Sequence, residues 1–169
     1  LINVESLDDV KYSIIEKEYV VDLYTDFYIS KQLISSIKTT NKLLNITASI
    51  FASENDLDNC LLINESKNVV EALQGNLFML KGTTLVTPPV SEGCMNGVMR
   101  KQVLSLARNI ENLEVVEGVI SPFDLQKAEQ LFITNVIKGI QPITKYRKKE
   151  YSIDFSRLMI QKLNEKYIF

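Results

Sequence analysis

Apolar and polar positions alternate in this chain in two distinct rhythms. Around Glu18-Tyr19-Val20-Val21-Asp22-Leu23-Tyr24 the residues are β-formers, and the stretch reads as a strand. Leu1–Glu5 reads as a shorter one, with turns at Asp8-Asp9 and Thr25-Asp26. Phe27–Ile37 has no clean period and reads as a connector. From Lys38 the rhythm changes: Leu43, Leu44, Ile46, Thr47, Ile50 and Phe51 recur at helical spacing through Ala52, and Asn55-Asp56 closes the helix.

A run of short strands comes next. Cys60–Asn64 is apolar, Glu65–Asn68 is a hairpin turn, and Val69–Glu71 returns. Asn76–Leu80 and Thr84–Thr87 flank Lys81-Gly82, which predicts a meander of antiparallel strands. Gly97–Ile110 is predicted as a helix with Val98, Val103, Leu104 and Ala107 inward. Leu113–Glu117 is a strand, and Ser121-Pro122-Phe123-Asp124 opens a helix with serine as cap and proline at its first position. Leu131–Asn135 is a buried strand and Ile137–Thr144 leads toward a hairpin. Lys145–Lys149 reads as a solvated turn, and Asp154–Tyr167 as a final amphipathic helix. Strands and helices mix irregularly, so the fold class is α+β.

Composition narrows the chemistry. The 169 residues, 46% hydrophobic and 24% charged, suffice for one domain with a sizeable core. A net charge of -2 gives no electrostatic case for nucleic acid or an anionic membrane. No apolar run reaches the roughly 18 residues of a spanning helix. The first residue is Leu1 inside a strand pattern, with no secretory signal, so the expectation is a cytoplasmic protein whose chain is cut from a longer one. Cys60 and Cys94 are far apart and read as reduced thiols, with no metal site. The sequence contains no histidine, which removes Ser-His-Asp and Cys-His nucleophiles, His-based zinc sites and His proton shuttles. Lys, Asp, Glu, Tyr or a cofactor must then move protons in any catalysis.

One stretch organises the rest. Val69-Val70-Glu71 ends in a carboxylate, a four-residue kink leads to Asn76, and Gly97 opens an amphipathic helix whose N-terminus is a ready anion site. Lys38 lies upstream. With Leu61–Glu65, Asn76-Leu77-Phe78, Thr87-Pro88-Pro89, Gly97-Val98-Met99-Arg100, Asp124-Leu125, Ala128-Glu129, Phe132–Asn135, Ile140 and Pro142, the ordered set resembles the class IV aminotransferase family, the fold-type IV pyridoxal phosphate enzymes. That family includes branched-chain aminotransferases, D-amino acid aminotransferases and 4-amino-4-deoxychorismate lyase. The resemblance covers roughly Ser35 to Ile143.

The resemblance implies a fold, a cofactor and a set of site residues. The implied fold is the family's large domain, a barrel-like antiparallel sheet with flanking helices, over residues 38–169, and residues 1–37 are the end of a preceding small domain plus linker. The missing part would supply one wall of the substrate pocket and an arginine for the cofactor phosphate. The implied cofactor is pyridoxal 5'-phosphate, the substrate a small amino compound, and the assembly a homodimer. Lys38 matches the Schiff-base lysine, although by position alone it is a surface lysine opening a helix. Glu71 matches the carboxylate that holds the proton on the pyridine nitrogen. Gly97, Val98 and Met99 match the phosphate-binding turn, and Asn135 stands where the family has small polar residues near the phosphate. Many aminotransferases of the family have a threonine where this chain has Met99, and a tyrosine where it has Leu43. Met99 and Asn41-Lys42-Leu43 are instead similar to the lyase branch, while Arg100 is taken as a helix-surface or structural residue. The expected activity is therefore 4-amino-4-deoxychorismate lyase, giving 4-aminobenzoate and pyruvate. A branched-chain or D-amino acid aminotransferase is the alternative, and a non-catalytic fragment a third reading.

Overall fold

The computed structural model describes residues 11–167; the strand expected at Leu1–Glu5 and the turn at Asp8-Asp9 lie outside them. Ten strands form one sheet: β1 (Val20–Ile29), β2 (Asn59–Asn64), β3 (Val69–Ala72), β4 (Gly75–Lys81), β5 (Thr84–Thr87), β6 (Glu114–Glu117), β7 (Gln130–Asn135), β8 (Gly139–Ile143), β9 (Lys145–Tyr146) and β10 (Lys149–Glu150). Among the described residues four α-helices accompany them: α1 (Leu43–Glu54), α2 (Val98–Ala107), α3 (Pro122–Lys127) and α4 (Asp154–Tyr167). Among the described residues no helix is long and apolar enough to cross a membrane.

The meander from β2 to β5 is antiparallel as its hairpins predict, but the sheet as a whole is mixed. β1 runs parallel to β2 and to β9, and β5 runs parallel to β6. The β1-to-β2 link contains a helix, and parallel neighbours need such a crossover. β4 is the hub. One of its edges pairs with β7 along Asn76–Leu80, and the other is shared by β3 at its start and β5 at its end.

Burial on both faces explains why β2, β4 and β7 read as unbroken apolar runs rather than alternating ones. Leu77 and Met79 of β4 face one core with Leu61, Ile63, Leu131 and Ile133. Phe78 and Leu80 face the opposite one, with Phe132 and residues of α2 and α4. There the Phe78 and Phe132 rings stack at 5.0 Å between centroids. A third, smaller core lies between Cys60 and Leu62 of β2 and Ala48 and Ala52 of α1. The predicted cap of α3 is present as a full capping box: the Ser121 N–H donates to Asp124 Oδ2 at 2.9 Å and the Asp124 N–H donates to Ser121 Oγ.

Several expectations are corrected. The first helix begins at Leu43, not at Lys38, because Thr39, Thr40 and Asn41 are poor helix residues and Lys42 caps no N–H. Its apolar stripe is only half used: Leu44 and Phe51 pack inward, while Leu43, Ile46 and Ile50 are exposed. The supposed connector at Phe27–Ile37 holds the end of β1 and a 3-10 turn at Leu33–Ser36. Lys145–Lys149 is not merely a solvated turn. Tyr146 is fully buried between β1 and β10, and Arg147 takes a left-handed φ of 55° to close a two-residue hairpin. In α2 Val98 faces solvent and Met99 takes the inward position, four residues before Val103 and eight before Ala107.

Candidate functional site

Glu71 and Asn76 are cross-strand partners on β3 and β4, so their side chains share a face and lie close together. Both reach the loop that precedes α2. Glu71 Oε2 accepts the Met95 N–H at 2.8 Å, and Asn76 Nδ2 donates to the Met95 carbonyl at 2.7 Å. The peptide groups of Met95 are thus held at both ends by adjacent strands. Gly97 comes next, with its own N–H turned back to the Met95 carbonyl at 2.9 Å. A Cβ at Gly97 would overlap Asn76 Oδ1, so this close approach requires glycine.

The loop ends at an open helix start. Gly97 is the N-cap of α2 and no side chain caps the helix. The N–H groups of Val98 and Met99 lie in its first turn, where no intrahelical acceptor exists. Val98 is 63% exposed, so that turn is accessible. Met99 contributes only its main chain there, because its side chain is buried in the core beneath α2. The resemblance gives Gly97 close approach and the first helical turn the free N–H groups; the Gly97 N–H is engaged with Met95, and Val98 and Met99 stand in that first turn.

Burial pushes the Glu71 carboxyl up to about 7 against two opposing influences, the Met95 N–H and the charge of Lys42. Met95 is its one hydrogen-bond partner among the described residues, and no cation is within ion-pair distance. A carboxyl so placed can hold or share a proton with a basic aromatic nitrogen that docks against it. The carboxylate thus holds one residue of the loop, Met95, and the uncapped helix start follows three residues later.

Lys38 is exposed, in the non-helical stretch between the 3-10 turn and α1, with no hydrogen bond or ion pair among the described residues. Its segment nonetheless meets the same loop, because the Asn96 N–H donates to the carbonyl of Ser36 at 3.3 Å. Glu71 thus meets the loop at Met95, two residues before Gly97, and the chain two residues before Lys38 meets it at Asn96. Two surface recesses, one along Ile14 and α4 and one between Tyr24 and α1, are lined by none of these residues. Asn135 sits one residue beyond Thr134, the β7 partner of Asn76. Its side chain braces two turns: Nδ2 donates to the Gln74 carbonyl, and Oδ1 accepts from the Ile137 and Lys138 N–H groups.

Arg100 is structural but not on the surface. It is 2% exposed, and its Nη2 donates to the Pro88 carbonyl at 2.9 Å and to Glu117 at 2.7 Å. That anchors α2 to the loop after β5. The thiols of Cys60 and Cys94 are buried and unpaired, and burial pushes both up to about 11, so neither is poised as a nucleophile. Residues that sequence reasoning did not assign to the site are Asn76 and the Met95 backbone. The only available signals were the register of β3 with β4 and the glycine at 97.

The family profile described as amino-transferase class IV matches residues 4–146. A relative from Methanocaldococcus jannaschii, provisionally named a branched-chain-amino-acid aminotransferase, is 35% identical over 108 residues, covering 64% of this chain and 37% of its own. The aminodeoxychorismate lyase of Vibrio harveyi is 25% identical over 123 residues, covering 73% of this chain and 45% of its own. The crystal structure of an aminotransferase from Brucella abortus bound to the cofactor PLP superposes with a TM-score of 0.77 at 20% identity, over 92% of this chain and 56% of that one. The chain thus spans less than half the length of these two curated relatives.

Proposed function

The chain belongs to the amino-transferase class IV family, and from that membership we propose that it is the cofactor-binding part of a pyridoxal 5'-phosphate enzyme acting on a small amino substrate. The observation that carries this reading is Glu71: a carboxyl raised by burial to about 7, without an ion-pair partner among the described residues, and joined through Met95 to an uncapped helix start. These residues fit the cofactor's two poles. Glu71 would face the ring nitrogen, and the Val98 and Met99 N–H groups would take the phosphate. When bound, the cofactor supplies an electron sink for a carbanion.

The chain's own residues supply the rest. Lys38 would hold the cofactor, and its amine would move the proton at the carbon that bears the substrate amine. Glu71 would keep the ring nitrogen protonated. Asn76 and Gly97 hold the Met95 loop so that the carboxylate and the helix start keep their separation.

Within the family we favour 4-amino-4-deoxychorismate lyase. Met99 and Asn41-Lys42-Leu43 support it, as does the Vibrio harveyi relative, which aligns with the larger share of the chain. In that reaction Lys38 would take the ring proton at the amine-bearing carbon, the neighbouring bond to the enolpyruvyl oxygen would break to leave aromatic 4-aminobenzoate, and the proton would return to the methylene carbon of the departing enolpyruvate to give pyruvate. Branched-chain transamination is the second reading, supported by the higher identity to the archaeal relative. Incubating the protein at its natural length with 4-amino-4-deoxychorismate and, separately, with leucine plus 2-oxoglutarate distinguishes them. Pyruvate and 4-aminobenzoate are expected from the first incubation. Glutamate from the second, without pyruvate from the first, overturns the lyase assignment. Neither product with a cofactor-loaded protein overturns the enzymatic reading. The exposed Leu33, Ile34, Ile37 and Leu43 favour a homodimer that covers this surface.

A further inference from the structure

Glu92 is a buried carboxylate away from the cofactor site, 8% exposed, in the 3-10 turn Val90–Glu92 before α2. Three donors converge on its carboxylate. Lys31 Nζ meets Oε1 at 2.8 Å, and the side-chain amides of Asn64 and Asn68 donate to Oε2 at 2.7 and 2.9 Å. The Asn64 amide also donates to the Glu92 carbonyl at 3.1 Å. Burial alone would push this carboxyl up, but the hydrogen bonds from Lys31, Asn68 and Asn64 outweigh it and hold it below the usual range.

The donors come from different parts of the chain. Asn64 and Asn68 flank the β2–β3 turn, and Lys31 lies just after β1, on the segment that leads to Lys38. That segment touches the Glu92 loop at two further points. Gly93 has φ of +100°, and a Cβ on it would come within 2.7 Å of the Ser30 carbonyl. The Asn96 N–H donates to Ser36. Ser30, Lys31 and Ser36 thus meet Gly93, Glu92 and Asn96. Lys38 follows the first run by two residues, and Met95 of the second donates its N–H to Glu71.

We propose that Glu92 is a positioning residue: through Lys31 and the Asn64–Asn68 pair it sets the register of the Lys38 segment against the loop that holds Glu71. The inference rests on the assignment of Lys38 as the lysine that carries the cofactor. Glu92 itself touches neither cofactor nor substrate. A displacement of about 1 Å in such a geometry is enough to cost on the order of a hundredfold in rate.

The test uses the natural-length protein, with Glu92→Gln, Lys31→Met and the conservative Lys31→Arg. Two quantities are read on each. One is the rate at which pyridoxal 5'-phosphate becomes borohydride-stable on Lys38. The other is the affinity for pyridoxine 5'-phosphate, which has the ring and phosphate but no aldehyde. The expectation is attachment slowed by roughly tenfold or more in Glu92→Gln and Lys31→Met, restored in Lys31→Arg, with analogue affinity unchanged in all three. Attachment at the wild-type rate in both disrupting variants overturns the proposal. So does a parallel loss of attachment and analogue affinity, which would make Glu92 a stability residue only. If Glu92→Gln does not fold, the exposed Lys31 variants carry the same comparison. A wild-type protein that is never modified at Lys38 overturns the cofactor assignment itself and this inference with it, an outcome distinct from the other two.

Discussion

At the scale of the residue, Glu71 makes the sharpest claim. Its carboxyl rises from an ordinary value of 4.5 to about 7, burial being the main cause. Between those values the folded chain holds a proton that the unfolded chain releases. The stability this contributes, on the order of 3 kcal/mol, is present in full below 4.5 and is lost as pH rises through about 7. Glu71→Gln abolishes that loss. In urea unfolding without cofactor the variant should exceed the wild type by about 1–3 kcal/mol at pH 8 and match it at pH 4. Equal pH dependence of the two proteins contradicts the account. Gly97→Ala sets a methyl group into Asn76 Oδ1 and should cost about 1–3 kcal/mol. Adding Asn76→Ala should recover part of that loss, which a double-mutant cycle reads directly. The carboxylate and the glycine were legible in the sequence as a strand-end acid and a helix opener. Their meeting through Met95 was not, because it depends on the β3–β4 register and a loop whose contacts are long-range.

Among elements, α2 carries the site and Arg100 anchors α2. Arg100→Ala removes the donor to both the Pro88 carbonyl and Glu117, for an expected loss of about 3 kcal/mol, the lower end for a buried pair because Glu117 is partly exposed. The Arg100 hydrogen bond is also the main reason the Glu117 carboxyl lies below its usual range. The stabilisation from Glu117 is therefore present above its unfolded value and lost as pH falls. Denaturant titration of Arg100→Ala, with a smaller penalty at pH 3 than at pH 7, checks both statements. Elements with local signals were readable: α4 by its period and α3 by Ser121, Pro122 and Asp124. The hairpin of β9 and β10 was hidden inside a charged run, since Tyr146 alone supplies its buried side chain. The start of α1 was misplaced because Leu43–Phe51 set a strong period while the residues that refuse helix, Thr39 and Thr40, stand outside it.

For the whole molecule, the mixed α+β class was legible in the pattern, but the parallel pairings of β1 were not, because strands buried on both faces do not mark their neighbours. The same limit hid the docking of residues 30–36 on residues 92–96, which ties the segment preceding Lys38 to the loop that meets Glu71. Leu33 at 81% and Leu43 at 69% exposure leave apolar surface open in this chain; the proposed homodimer would cover it, and a natural-length protein that sediments as a monomer at micromolar concentration contradicts that proposal. Everything proposed about chemistry converges on one attachment. Loading the natural-length protein with pyridoxal 5'-phosphate, reducing it with borohydride and mapping the modified peptide should place the label on Lys38. A label on Lys42 or another lysine, or a protein that takes up none, contradicts the account.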